Sequence, residues 1–325
     1  MKVIRVSALW TSGIETISNT VIFNLIKKLS NAKIVFVAPK DADLLFLGPY
    51  NLESIKNRII RRLSRDINIK KISEYFEYFQ RKTVFRKYQP ITIFYAHENI
   101  RHDTIKSNFS INSDLGVNSD LHLRFPVWKE NINWSEFGII REDKTDINQR
   151  YGSYYEIEDM MRPQGKNFLS KKNFCIITSH MNQPRGLIYQ AFKNEFIVDG
   201  YGPFFDKKIK NHNVSNFYKK DILKNYAFNL CPHNFIYPGL YEEKVPEAFL
   251  SKCLPITWAD ENISYDFNVK SFVNLNNYIK NNFKDIIYLL KQNEFLNTFV
   301  DQPLLLSRPT LHKEIAFAKK IIDSL

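Results

Sequence analysis

Strand-like and helix-like hydrophobic patterns take turns along most of this chain, and a chain patterned in that order folds as an α/β protein with mainly parallel sheet. Lys2 to Leu9 alternates as a strand does, Ile14 to Leu29 carries the spacing of an amphipathic helix, and Lys33 to Val37 and Asp43 to Leu47 read as the next two strands. A turn follows at Gly48-Pro49. Ile55, Ile59, Leu63 and Ile67 recur every four residues, which predicts a helix whose other faces carry Lys56, Arg58, Arg61, Arg62 and Arg65. Gln89 to Tyr95 is a further strand, ending at His97-Glu98-Asn99.

Between about residues 143 and 172 the pattern turns polar and irregular, with Asp146-Ile147-Asn148-Gln149-Arg150 and Arg162-Pro163-Gln164-Gly165 interrupting any long element. The alternation then resumes. Strands are expected at Phe174 to Thr178, Phe196 to Val198, Tyr226 to Cys231 and Leu254 to Trp258, with helices at Leu187 to Phe192 and near Pro246 to Ser251. The break predicts two α/β domains, residues 1–160 and 161–325, and 325 residues suffice for two cores of ordinary size. No solenoid repeat or low-complexity tract interrupts this plan.

The 46 Lys and Arg outnumber the 34 Asp and Glu, giving +12, so an anionic partner is expected: nucleotide, nucleic acid or acidic membrane. Charge does not choose among them. Cys175, Cys231 and Cys253 are odd in number and lack the spacing of a disulfide framework or a zinc pair, which fits a reducing compartment. The first residues lack a signal peptide's apolar run, and no stretch reaches the roughly 18 apolar residues of a membrane span. These features predict a cytoplasmic protein, soluble or peripheral at the inner face of the membrane.

Several chemistries lose their support. There is no P-loop, and Gly200 and Gly202 precede Pro203-Phe204-Phe205, so no GxGxxG fingerprint exists. Asp41-Ala42-Asp43 has the spacing with which two carboxylates can position a divalent metal, and equally suits capping of the strand that follows. The stretch from Tyr226 to Leu275 says more. A buried strand opens through a Pro- and Gly-containing loop into a helix with Pro246 in its first turn, where proline is tolerated. Glu243 and Lys244 stand at that helix start, which suits a phosphate, though an ordinary strand-loop-helix with a solvated Glu-Lys pair has the same pattern.

The same stretch resembles the alpha-1,3/1,4-fucosyltransferases of glycosyltransferase family 10, in their bacterial form. Their signature reads roughly F-x-L-x-F-E-N-S, a short loop, Y-V-T-E-K, and a small-residue helix leading to P-I-x-W-G. Phe228, Leu230, Asn234, Glu243, Lys244, Ala248, Pro255, Ile256 and Trp258 occupy matching places, as do Asp266-Phe267-Asn268 and Ser271-Phe272. Two further blocks agree in order. Phe174, Ser179 and Arg185 resemble F-x-x-x-x-S-N-x-x-x-x-R, and Glu98-Asn99-Ile100-Arg101 with Leu123-Arg124-Phe125-Pro126 resembles G-E-N-x-R-P and Y-L-R-x-P. The chain departs from the pattern at His233, where most members have Glu, at Leu240 for Tyr, and at Glu242 for Thr. His97 replaces a usual Gly and His180 a usual Asn.

The resemblance implies a GT-B fold, two Rossmann-like domains facing a central cleft, with the GDP-sugar donor on the carboxyl-terminal domain and a glycan acceptor on the amino-terminal one. It implies inverting transfer of L-fucose or a related deoxyhexose to an oligosaccharide or lipid-linked acceptor, such as a surface polysaccharide or lipopolysaccharide O-antigen. No cofactor or divalent metal is required and no nucleic acid is expected. By the same resemblance Glu98 is the catalytic base, Arg185 and Lys244 hold the diphosphate, Glu243 binds the sugar or its developing charge, and Asn234 hydrogen-bonds the donor. A rival class comes from the residues alone: the basic helix Ile55 to Lys71, with the aromatic and basic stretch Tyr75 to Lys82, suits a non-catalytic protein that binds nucleic acid or anionic membrane.

Overall fold

The computed structural model describes residues 2–9, 11, 14–49, 89–141, 150–163, 167–170, 173–205 and 218–325. The basic helix expected over Ile55 to Lys71 and the stretch Tyr75 to Lys82 lie outside the described residues. In chain order the elements used below are β1 (Val3–Leu9), α1 (Ile14–Ser18), α2 (Val21–Ser30), β2 (Lys33–Phe36), β3 (Leu44–Leu47), β4 (Ile91–Tyr95), β5 (Phe109–Asn112) and β6 (His122–Arg124). They continue with β7 (Phe174–Ile177), α3 (Arg185–Lys193), β8 (Val198–Tyr201), α4 (Lys219–Leu223), β9 (Phe228–Leu230), α5 (Lys244–Leu250), β10 (Leu254–Thr257), β11 (Val273–Asn274) and α6 (His312–Asp323).

Two compact units result. One comprises Met1–Phe125, Trp134–Glu142 and Thr310–Leu325, the other Pro126–Asn133 and Asp143–Pro309. This partition differs from a single division at residue 160, because α6 packs against α2 of the first unit. Its Phe317, Ala318 and Ile321 are buried, and Phe317 meets Phe109 edge-on with ring centroids 5.6 Å apart. Spacings of three and four between those apolar residues are what a helix needs to present one face.

The first unit carries a six-stranded parallel sheet in the order β2-β1-β3-β4-β5-β6. Leu44, Leu45, Phe46 and Leu47 are all buried, as an interior strand covered on both faces requires. The single helix expected from Ile14 to Leu29 is two, α1 and α2. Thr20 breaks it: its backbone is extended, and its Oγ1 accepts from the Phe23 N–H at 3.3 Å while donating to the Ile17 carbonyl at 2.8 Å.

The metal reading of Asp41-Ala42-Asp43 meets a competing partner. The Asp43 carboxylate accepts from the Arg5 backbone N–H at 2.8 Å and from its Nη2 at 2.6 Å, and these Arg5 hydrogen bonds hold its carboxyl below the usual range. A depressed carboxyl stabilises the fold above its unfolded value, about 3.9, and loses that contribution as pH falls through the folded value. Asp43→Asn should therefore cost about 1 kcal/mol or less at pH 7, since the pair is partly exposed, and less than that near pH 2. Urea unfolding at the two pH values checks this; an equal cost at both would refute it.

The second unit's sheet runs β11-β10-β9-β7-β8, again parallel. Its core is aromatic: Phe174 stacks on Phe228 at 4.4 Å between centroids, with Phe192 and Phe196 against the same ring. Counted from each unit's first strand, the first sheet follows the order 2-1-3-4-5-6 and the second 2-1-3-4-5, which places a topological switch point between β1 and β3 and another between β7 and β9. Among the described residues no helix is long and apolar enough to cross a membrane.

Candidate active site

Loops leaving neighbouring strands at a switch point diverge, and the gap between them is where open α/β sheets receive ligands. In the second unit the loops after β7 and β9 do this, and Arg185 stands between them as the first residue of α3. It is not on an exposed helix start: the residue is only 7% exposed. Its Nη1 donates to Thr178 Oγ1 at 2.5 Å and to the His180 carbonyl at 2.9 Å. Its Nη2 donates to the Pro232 carbonyl at 3.4 Å and to Asn234 Oδ1. Arg185 and Asn234, named separately from sequence, are thus joined across 49 residues.

All four bonded partners of Arg185 are neutral, and among the described residues no carboxylate pairs with it directly. Burial pulls its pKa down, and the nearby Glu242 charge works the other way. Four acceptors fix the planar fork while its positive charge stays uncancelled, which is the arrangement a bidentate anion site needs. The glycine pair that failed as a dinucleotide fingerprint supports this wall. A Cβ on Gly202, at φ +94°, would meet the Thr178 carbonyl oxygen at 2.5 Å, and one on Gly200 would meet the Phe205 ring at 2.4 Å. Only glycine lets β8 approach the residue that holds Arg185.

Lys244 opens α5, and its ammonium is hydrogen-bonded to Glu242. The other oxygen-seeking partner of Glu242 is His233, whose Nδ1 lies 3.3 Å from the same Oε2. Burial alone would raise the Glu242 carboxyl, but Lys244 and His233 outweigh it and hold the group far below its ordinary value. Glu243 faces a separate cation. Lys219 of α4 lies 3.5 Å from Glu243 and 2.8 Å from Glu247, and that ammonium keeps Glu243 below the usual range although burial opposes it. Burial pushes Glu247 up to about 7, which Lys219 only partly offsets.

In the first unit Glu98 is exposed on the loop that follows β4. The loop is tied down on both sides of it. His97 Nε2 lies 2.8 Å from the Tyr95 hydroxyl, the Ile100 N–H donates to the Glu98 carbonyl at 2.8 Å, and Asn112 Nδ2 donates to the Ile100 carbonyl at 2.8 Å. Beyond it the buried Asp114 carboxylate accepts from both the backbone N–H and Nδ1 of His102, each at 2.8 Å. A loop so tethered holds an exposed carboxylate in one place.

Sequence reasoning missed Thr178, Lys219 and the His233-Glu242 contact. The last had a signal: two departures from the motif, one losing an acid and the other gaining one, nine residues apart. Thr178 had none, because it acts only once β7, β8 and α3 are assembled.

Two parallel α/β units, each with its own switch point, are the GT-B architecture, and the fold class read from sequence holds. Residues 44–130 match the alpha-(1,3)-fucosyltransferase FucT N-terminal domain. The chain is 25% identical over 259 residues to the alpha-(1,3)-fucosyltransferase FucT of Helicobacter pylori, covering 71% of this chain and 53% of that protein, so it spans about half the length of the curated relative it matches. Its fold is that of a crystallised alpha1,3-fucosyltransferase, with a TM-score of 0.64 at 21% identity over 99% of this chain and 90% of the other. The structure of an alpha1,3-fucosyltransferase with GDP-fucose gives 0.65 at 19% identity, over 99% and 91%. These matches agree with the resemblance read from the motifs: the chain is similar to alpha-(1,3)-fucosyltransferases in sequence and in fold.

Proposed function

We propose that this protein transfers L-fucose, or a related deoxyhexose, from a GDP-sugar to a hydroxyl of a glycan, with inversion at the sugar carbon. The observation that carries the reading is Arg185, buried at a switch point and bonded only to neutral acceptors. A departing nucleoside diphosphate is the anion whose charge grows during such a transfer, and fixed cations there stabilise the transition state more than the ground state. Arg185 and Lys244 take the diphosphate. Asn234 gives its Oδ1 to Arg185, which leaves its NH₂ to donate to the nucleotide-sugar. Glu243 faces the positive charge that develops on the sugar ring. Glu98 accepts the proton of the acceptor hydroxyl as the new bond forms.

The second unit is the donor-binding unit and the first the acceptor-binding one in this reading. The acceptor is an oligosaccharide or lipid-linked glycan of the kind built into a bacterial surface polysaccharide or O-antigen, at the cytoplasmic face of the membrane. Charge stabilisation comes from Arg185 and Lys244, so transfer needs no divalent metal.

A thermal-shift series with GDP, UDP and CMP at one concentration tests the donor, because a ligand that binds only the folded state raises the melting temperature more the tighter it binds. GDP is expected to shift the transition most. Equal shifts by all three would remove the donor assignment. Assays of GDP-fucose turnover with and without EDTA test the second point: most activity is expected to survive, and complete loss restored by added metal would overturn the metal-free reading.

A further inference from the structure

Glu243 and Glu247 stand four residues apart, one turn of helix, so they share a face at the start of α5. Two carboxylates at that spacing repel each other unless a cation comes between them. Lys219, the first residue of α4, supplies one: its Nζ donates to Glu247 Oε2 at 2.8 Å and lies 3.5 Å from Glu243 Oε1. The two acids are not equivalent. The Glu247 side chain is 5% exposed and that of Glu243 24%. Burial keeps Glu247 at about 7 in spite of the closer contact, whereas the Lys219 charge is the largest influence that holds Glu243 below the usual range against burial. Tyr151 and Tyr155 feel the same carboxylates and stay neutral, because burial raises both hydroxyls. Nothing within α5 fixes Glu243: it occupies the cap position, yet its side chain makes no capping hydrogen bond. Among the described residues Lys219 is the side chain that pairs with it.

We propose that Lys219 is a positioning residue of the donor site, bridging one turn of α5 so that the Glu243 carboxylate is held in place where positive charge develops on the sugar. The inference rests on the donor-site reading above. Contacts tie this helix start to the Arg185 loop: Lys244 follows Glu243 and pairs with Glu242, Glu242 meets His233, and the next residue, Asn234, accepts from Arg185. A charged group lowers a barrier most when it is ionised and fixed before the opposing charge appears. Glu247 is the rear anchor of the bridge, binding the ammonium from the buried side, and Glu243 is the more open end. Lys219 therefore acts through Glu243 and leaves the diphosphate to Arg185 and Lys244.

Hydrolysis of GDP-fucose tests this without an acceptor, because breaking the bond to the diphosphate builds the same charge on the sugar. Glu243→Gln should slow GDP release at saturating GDP-fucose by about 10²-fold, and Lys219→Met by about tenfold or more, with GDP affinity within about threefold of wild type in both. Lys219→Met also leaves Glu247 buried without its cation, so a slow variant could merely be a poorly folded one. The double variant Lys219→Met/Glu247→Gln removes that charge: its melting temperature should recover while its GDP release stays slow, and it carries the test by itself where Lys219→Met does not fold. A double variant that releases GDP at the wild-type rate would reduce Lys219 to a neutraliser of Glu247 and overturn the proposal, as would a Lys219→Met that loses GDP affinity with no change in the saturated rate. Normal release by Glu243→Gln, or no GDP binding by the wild type, would overturn the donor-site reading and the proposal together.

Discussion

Glu98→Gln is expected to lower sugar transfer by about 10² to 10⁴, the scale on which a positioned general base acts, while GDP still raises the melting temperature as it does in the wild type. The substitution keeps the size and hydrogen-bonding shape of the side chain and removes its basicity. The tethers around the loop, from Asn112 to the Ile100 carbonyl and from His102 to Asp114, do not involve the carboxylate and should persist. Initial rates of GDP release and of glycan product, with a thermal scan of the same sample, decide the matter. Turnover within a few fold of wild type would reject Glu98 as the base.

Arg185→Ala should remove most of the stabilisation by GDP and also weaken the empty protein. Losing one charge-assisted contact costs about 1.5–3 kcal/mol of binding, which is roughly 10- to 150-fold in affinity. The empty protein suffers for a separate reason. Thr178 Oγ1 and the Pro232 carbonyl lose a donor in a buried place, and the His180 carbonyl and Asn234 Oδ1 lose one where they are only partly buried, at about 1–3 kcal/mol in total. Arg185→Lys keeps the charge without the planar fork, so it should recover part of the stability and little of the GDP affinity. Calorimetry of GDP binding, with unfolding curves for the three proteins, separates the two effects. Unaltered GDP binding in Arg185→Ala would dismiss the phosphate role. Lys244→Ala should do less to GDP binding than Arg185→Ala, since Lys244 already answers a carboxylate on its own loop.

The first unit shows how far local pattern carries. β1, β2, β3 and β4 fall close to where alternation and apolar runs place them, because their apolar residues stand out from polar flanks; β3 is buried throughout and β2 only in part. β5 and β6 escape that reading. Phe109-Ser110-Ile111-Asn112 and His122-Leu123-Arg124 alternate only briefly between irregular stretches, and pairing, of β5 with β4 and of β6 with β5, is what makes them strands. β8 begins two residues after its expected start, at Val198 rather than Phe196, since Phe196 instead packs on Phe174.

Motif order alone brought Glu98, Arg185, Asn234, Glu243 and Lys244 into one hypothesis, and strand-helix alternation alone determined the α/β class. Residue identity and spacing suffice for both, because chemistry resides in side chains and periodicity is local. Which charges remain free is a different kind of property. Arg185 keeps neutral partners, Lys244 is answered by Glu242, Glu243 by Lys219, and Asp43 by Arg5. Those pairings join residues up to 49 positions apart, and they are fixed by which strand lies beside which. Electrostatic interaction depends on distance through space and on burial, and neither is written along the chain, so only the tertiary structure decided which cation can receive an anion.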